Sequence, residues 1–224
     1  MRSLVRILFV GLFLANCGYS SNAAKNEKQN SKYKYKNFGL IVSGPSGVGK
    51  TTLVEELVKL HPEIKISISA TTRPKRNGEV DGESYYFLNR DRFEKLAKKD
   101  EFIEYTENYG NYYGSPKRNY VEAIENNNDV VFVLSVSGML NAIKNEKMDF
   151  VTIFIMPLSM EELSARLLKR GTENTEQLQR RMDSALKEIS QANKYDYVIY
   201  NGDIKYAIKN LEAIYLSERL KRQL

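Results

Sequence analysis

A parallel β-sheet between two layers of helices is the fold class this sequence predicts. Three observations carry it. The stretch Gly44-Pro45-Ser46-Gly47-Val48-Gly49-Lys50-Thr51 fits G-x-x-x-x-G-K-[ST] at every specified position. It stands between an apolar run, residues 38–42, and a helix-forming run, residues 51–60. Residues 130–136 and 151–156 are nearly continuous apolar runs, which suit strands buried on both faces of a parallel sheet. Around them strand-like and helix-like segments alternate, the order of an α/β chain that crosses back over its sheet after each strand.

Residues 38–42 form the first strand. The glycines of the following loop let the backbone wrap closely round an anion. The loop N–H groups and the helix N-terminus then point at it. This is the phosphate-binding P-loop. Gly44, Pro45, Ser46, Gly47, Val48 and Gly49 make the cradle for a nucleotide such as ATP, with Thr52 in the first helical turn. Lys50 reaches the β- and γ-phosphates, and the Thr51 hydroxyl faces Mg²⁺. Residues 65–69 read as a short strand, followed by a polar loop. Residues 85–88 read as strand, 92–99 as two helical turns, and 102–108, which alternate, as strand. Residues 121–126 are helical and 130–136 and 151–156 are the buried strands. Residues 161–170 and 176–192 are helical, and 197–200 form a last strand. Residues 204–220 place apolar side chains at 204, 208, 211, 214 and 216, the stripe of a docked terminal helix. The sum is a P-loop NTPase-type three-layer sandwich with inserted segments.

Composition is that of a globular domain with some excess length. The formal charge of +6 is unevenly placed. Residues 1–37 hold seven basic side chains and one acid, which leaves 27 of each sign in residues 38–224. The neutral core does not support nucleic-acid binding. Residues 1–37 read as a targeting segment and a basic linker, and residues 38–222 as the folded domain. Arg2 and Arg6 precede a nine-residue apolar stretch, 7–15, which is too short to span a bilayer, so no stable membrane insertion of the mature domain is expected. The segment resembles bipartite plastid import sequences, which implies a plastid-type organelle interior; a misplaced start codon would instead leave a cytoplasmic protein. Cys17 is the only cysteine, which excludes a disulfide or thiolate cluster in the core. His61, the only histidine, precedes Pro62 at a helix end and reads as a surface or capping residue. No pattern specifies an oligomeric state.

A second constellation narrows the chemistry. Residues 69–82 read Ser-Ala-Thr-Thr-Arg-Pro-Lys-Arg-Asn-Gly-Glu-Val-Asp-Gly, with Tyr85 beyond them and Gly110-Asn111-Tyr112-Tyr113-Gly114 after the next strand. Arginine forks and tyrosine hydroxyls suit a phosphate monoester. Together with the P-loop, these segments resemble guanylate kinases, which convert ATP and GMP to ADP and GDP. The resemblance runs collinearly over about residues 38–220. It implies that the insertions are a GMP-binding segment and a lid, and that the partners are the small molecules GMP and ATP, with Mg²⁺.

The resemblance implies roles position by position. Arg73, Arg76, Tyr85 and Tyr113 fall where the family grips the GMP phosphate. Ser69, Glu104 and Ser115 fall where it reads guanine. The carboxylate makes chemical sense, because guanine offers two adjacent donors, N1–H and the 2-amino group, where adenine offers an acceptor at N1 and no 2-amino group. Arg166, Arg170 and Arg181 match lid arginines that close over the phosphates, neutralise the transferring group and exclude water. Asn201 matches a position near the adenine. One departure stands out. The family usually shows Asp-x-Gln-Gly where this chain has Ser135-Val136-Ser137-Gly138, so Ser135 brings a hydroxyl without a charge to the GMP and metal-water environment. A catalytically weakened guanylate-kinase-like interaction module is the alternative; intact Lys50 and Thr51 argue for the enzyme.

Overall fold

Strand β1 (Gly39–Ser43) is buried at every position, and everything else is arranged round it. A computed structural model describes residues 35–108, 110–169 and 175–223. The targeting segment with Cys17 and the lid residues Arg170 to Glu173 lie outside the described residues. After β1 come α1 (Lys50–Leu60), β2 (Ile64–Ile66), β3 (Ala70–Thr71), β4 (Tyr86–Phe87), α2 (Arg90–Lys98), β5 (Phe102–Asn108), β6 (Asn111–Pro116) and α3 (Lys117–Glu125). Then follow β7 (Asp129–Val133), α4 (Val136–Ala142), β8 (Phe150–Met156), α5 (Met160–Lys169), α6 (Thr175–Ile189), β9 (Tyr197–Tyr200) and α7 (Ile204–Lys221).

The main sheet has the order β2-β7-β1-β8-β9, and each neighbouring pair is parallel. Its central strands are sealed on both faces. Leu40, Val42, Ile153 and Ile155 face one cluster, with Leu53, Leu57, Leu163, Leu167, Leu211 and Tyr215. Ile41, Phe132 and Phe154 face another, with Tyr120, Met139 and Tyr195. Each such buried side chain contributes roughly 1.5–3 kcal/mol, which is why continuous apolar runs identified β7 and β8. The result is the three-layer α/β sandwich expected.

A second, smaller sheet, β4-β3-β6-β5, is inserted between β2 and β7. It has its own core of Ala70, Phe93 and Phe102, with Phe93 stacked between Phe102 and Tyr112 at 4.5 and 5.2 Å. The strand expected over residues 65–69 therefore ends at Ile66 in the main sheet, and the next strand, β3, starts at Ala70 in the small one. Residues 67–69 form the link, and Asn119 Nδ2 holds it by donating to Ser67 Oγ and Ile68 O.

Three further expectations are corrected. The strand expected to reach residue 136 stops at Val133, because Ser135 caps a new helix, its Oγ accepting from the Gly138 N–H at 3.1 Å. On α7 the buried positions are Ala207, Leu211, Tyr215 and Glu218, whereas Ile204 and Leu216 are exposed. Tyr215 supplies a buried hydroxyl 2.8 Å from Asp129 Oδ2 and 3.1 Å from Glu63 Oε1, its one O–H donating to the nearer, so the stripe includes polar-tipped residues that apolar periodicity passes over. His61 does cap α1, but it is tucked between Glu63, Glu212 and the edge of Tyr215, and it is not a surface group.

Candidate active site

The turn after β1 takes its shape from two glycines. Gly44 has φ +142°, and a Cβ there would lie 2.4 Å from Ile155 O; Gly49 has φ +99°, and a Cβ there would lie 2.6 Å from Asn201 Nδ2. Any larger residue would push the loop away from β8 at Gly44 and from Asn201 at Gly49. Helix α1 begins with no side-chain cap and no acid in its first turn. Its first-turn N–H groups and partial positive charge therefore face the loop's concavity, an anion site. Lys50 Nζ lies in the same loop and donates to Gly44 O at 2.6 Å and Pro45 O at 2.9 Å. Thr51 and Thr52 are exposed on the first turn.

The loop is braced from behind. Val48 O accepts from Asn201 Nδ2 at 2.7 Å and from Arg166 Nη1 at 3.3 Å. Arg166 also donates to Asn201 O at 2.9 Å and pairs with Glu162. Asn201 is buried, and its Oδ1 has no partner among the described residues, so an acceptor is left beside the loop. Arg181 on α6 donates from Nη1 to Ser46 Oγ at 3.1 Å. Two of the three expected lid arginines thus reach the P-loop, Arg181 at its tip and Arg166 at its back; Arg170 lies outside the described residues.

One strand away, a cavity of about 190 Å³ opens at the carboxyl end of β7, lined by Ser69, Tyr85, Glu104, Thr106, Tyr113 and Ser135 among others. Strand β5 carries Glu104 into it. A register irregularity between Phe102 and Glu104 breaks the alternation, so Phe102, Ile103 and Glu104 are all buried, each in a different environment. Glu104 stands opposite Ser115 on β6, whose Oγ donates to Glu104 Oε1 at 3.0 Å. Burial pushes the Glu104 carboxyl up to about 7, and the Ser115 bond opposes that only in part. Gly138 on α4 presses against this carboxylate, since a Cβ there would lie 2.8 Å from Glu104 Oε2 and 3.2 Å from Ser135 Oγ. Sequence reading missed α4 and with it Gly138. The only available signal was the glycine itself, at the end of the Ser-Val-Ser-Gly run.

Arg73, Tyr85 and Tyr113 meet at the cavity's rim. The Arg73 guanidinium lies 5.5 Å from the Tyr85 ring centre, and the Tyr85 and Tyr113 rings are edge to face at 6.3 Å. Burial raises the Tyr85 hydroxyl, which keeps it a donor near neutral pH. Arg76 is exposed on the same loop. The structure therefore gathers the expected residues into two adjoining sites, an anion cradle and a pocket with a carboxylate floor and a basic, phenolic rim. The acids nearest in sequence do not join them. Asp129 is buried at the far end of β7, accepting from Phe38 N–H and Tyr215, and Asp81 accepts from the Phe87 N–H.

Comparisons of the sequence and of the fold with known proteins point to one family. The family model described as guanylate kinase matches residues 36–218. A guanylate kinase of Clostridium perfringens is 44% identical over 182 residues, covering 81% of this chain and 84% of that protein. One from Carboxydothermus hydrogenoformans is 44% identical over 187 residues, covering 84% and 91%. The crystal structure of guanylate kinase from Anaplasma phagocytophilum superposes with a TM-score of 0.71 at 34% identity, covering 86% of this chain and 92% of that one.

Proposed function

The chain belongs to the guanylate kinase family, and from that premise we propose how its residues move the γ-phosphoryl group of ATP to GMP, giving ADP and GDP. The observation that carries the assignment of roles is the buried Glu104 carboxylate at the floor of a pocket one strand from the P-loop.

Guanine enters that pocket with N1–H and its 2-amino group donating to Glu104, while Ser69 and Ser115 satisfy the remaining polar edge. A base with an acceptor at N1 meets a carboxylate instead and is rejected. The acceptor phosphate lies at the rim, held by Arg73, Arg76, Tyr85 and Tyr113. ATP lays its phosphates in the cradle of residues 44–51, with adenine near Asn201. Phosphoryl transfer breaks the bond between the γ-phosphorus and its bridging oxygen to the β-phosphate, and forms one to a GMP phosphate oxygen. Lys50, Arg166, Arg170 and Arg181 neutralise the charge that spreads over the transferring group.

The same residues fit a nucleotide-borne Mg²⁺. Such an ion takes most of its oxygen ligands from phosphates and water, so a single exposed hydroxyl at Thr51 suffices from the protein. Among the described residues no cluster of three His, Cys, Asp or Glu side chains could hold a metal unaided. When bound, the ion would supply charge neutralisation to the nucleotide phosphates, with the Thr51 hydroxyl available to hold it.

Among the described residues no helix is long and apolar enough to cross a membrane. We place the mature domain in the cytoplasm, or in a plastid-type organelle if the basic N-terminal segment directs it there; N-terminal sequencing of the native protein decides between them. For the reaction, ADP release is measured with GMP, AMP, CMP and UMP as acceptors. GMP should be strongly preferred, and equal turnover of AMP would overturn the assignment of Glu104.

A further inference from the structure

The loop between β3 and β4 holds its two arginines in different ways. The Arg76 side chain is exposed, while its backbone N–H donates to Glu79 Oε2 at 2.7 Å. The Arg73 side chain is 12% exposed, and the tip of its guanidinium closes on the same carboxylate, Nη1 to Oε2 at 3.1 Å and Nη2 to Oε1 at 2.7 Å. Nη1 also donates to Pro74 O at 2.7 Å. Glu79 thus fastens the head of Arg73 and the backbone of Arg76 at once. These are charge-assisted bonds, and the Arg73 pairing holds the Glu79 carboxyl below the usual carboxylate range.

A guanidinium has five N–H donors in fixed directions. The bonds to Glu79 and Pro74 take three of them, both donors of Nη1 and the inner one of Nη2. The two that remain, Nε–H and the outer Nη2–H, are parallel and form the side-on fork. The rings of Tyr85 and Phe87, 5.5 and 5.8 Å from the guanidinium carbon, limit its rotation. The Tyr113 hydroxyl hydrogen-bonds the same guanidinium, so it stands on the fork side and would share that side with an incoming phosphate.

We propose that Glu79 is a positioning residue for the acceptor phosphate: it clamps the tip of Arg73 so that the side-on fork meets the phosphate oxygens, and it leaves Arg76 as the mobile arginine that closes on them. The inference rests on the reading that Arg73 contacts the GMP phosphate. Fastening one arginine in advance lowers the ordering cost of binding, since a long side chain otherwise loses its rotamer freedom when the ligand arrives. A carboxylate that merely occupied the phosphate's place would act in the opposite sense, and its removal would tighten binding.

The test uses the full chain and the variants Glu79→Gln, Glu79→Asp, Arg73→Ala and the double variant Glu79→Gln/Arg73→Ala, each checked by thermal melt. Calorimetry gives the affinities for GMP and for guanosine, which lacks the phosphate, and steady-state kinetics give KM for GMP and for ATP. Glu79→Gln should weaken GMP binding about tenfold or more, the loss typical of a charge-assisted hydrogen bond. Guanosine affinity and the KM for ATP should stay within about twofold, and Glu79→Asp should recover part of the loss. In the Arg73→Ala background Glu79→Gln should have little further effect, because it acts through that arginine. Unchanged or tighter GMP binding, an equal loss for guanosine, or full additivity in the double variant would overturn the proposal. If Glu79→Gln does not fold, Glu79→Asp alone decides, with intermediate GMP affinity expected and wild-type or tighter affinity overturning it. An Arg73→Ala variant with undiminished GMP affinity would instead overturn the reading of Arg73 itself.

Discussion

If Glu104 reads guanine as proposed, GMP affinity should depend on pH in a way that can be worked out from the structure. The ligand-free carboxyl sits at about 7 because it is buried. Only the ionised form accepts from both guanine donors; the neutral acid turns an O–H toward one of them. Near pH 6 about one molecule in ten is competent, and near pH 8 about nine in ten, so the apparent dissociation constant for GMP should be roughly tenfold larger at the lower pH. The GMP phosphate also takes up a proton, with a pKa of about 6, so the comparison needs Glu104→Gln, in which only the phosphate titrates. Calorimetry in two buffers of different ionisation enthalpy counts the protons: near pH 6 the wild type should release about one more than the variant on binding GMP. The stability of the free protein runs the other way. A carboxyl raised from 4.5 in the unfolded chain to about 7 in the fold keeps its proton while the unfolded chain gives it up. Stability therefore falls as pH rises through that window, and the loss of about 3 kcal/mol is complete above it. Glu104→Gln should accordingly melt higher than wild type at pH 8 and nearly level with it at pH 4. Identical pH slopes and proton counts in wild type and variant would refute the reasoning.

Three further outcomes are expected. Lys50→Ala should abolish measurable turnover while the variant stays folded, because on the proposed reading the ammonium stabilises transferring charge; retained turnover in the folded variant would remove Lys50 from the chemistry. Ser135→Asp should raise kcat/KM for GMP at limiting Mg²⁺ near pH 8, since aspartate also caps α4 and adds the missing charge; it should also move the Glu104 acid limb upward, and unchanged kinetics would show that Ser135 does not stand in for the family aspartate. Tyr215→Phe should cost about 1–3 kcal/mol by chemical denaturation while leaving kcat unchanged, because it strips a donor from buried Asp129 far from the cradle.

The parts legible in the sequence were those whose signal is local or periodic. The P-loop is a local motif whose glycines and lysine are dictated by the anion. Strands β7, β8 and β9 are read from apolar runs, and α7 from its period, although Tyr215 and Glu218 turn a polar tip into the core and were passed over. Helix α4 was missed because seven residues beginning Val-Ser-Gly carry no usable period; it exists because Ser135 caps it and Met139 and Ala142 fill the core below. Strand β3 is two residues long, too short for alternation to register, whereas β4 lies inside the run 85–88 that reads as strand. The site residues came through the resemblance, and what it did not assign are contacts made only in three dimensions. Glu79 reads as one more acid in a polar loop until its two oxygens are seen on Arg73, and Asn201 reveals itself as a brace only when Val48 is beside it.

The small sheet is one uninterrupted stretch of chain, leaving the main sheet after β2 and returning at α3, with its own aromatic core. Everything proposed to recognise the acceptor's base and phosphate, apart from Ser135 and Gly138, lies within it, and the P-loop lies outside. Acceptor choice and phosphoryl chemistry are thus written on separate pages of the gene. A graft of residues 67–116 from a relative with a different acceptor, together with the α4 turn that presses on residue 104, should carry the preference across as a cassette. Point changes inside the cassette can drift toward new acceptors without first dismantling the catalyst, which makes this insertion the natural place for substrate range to diverge.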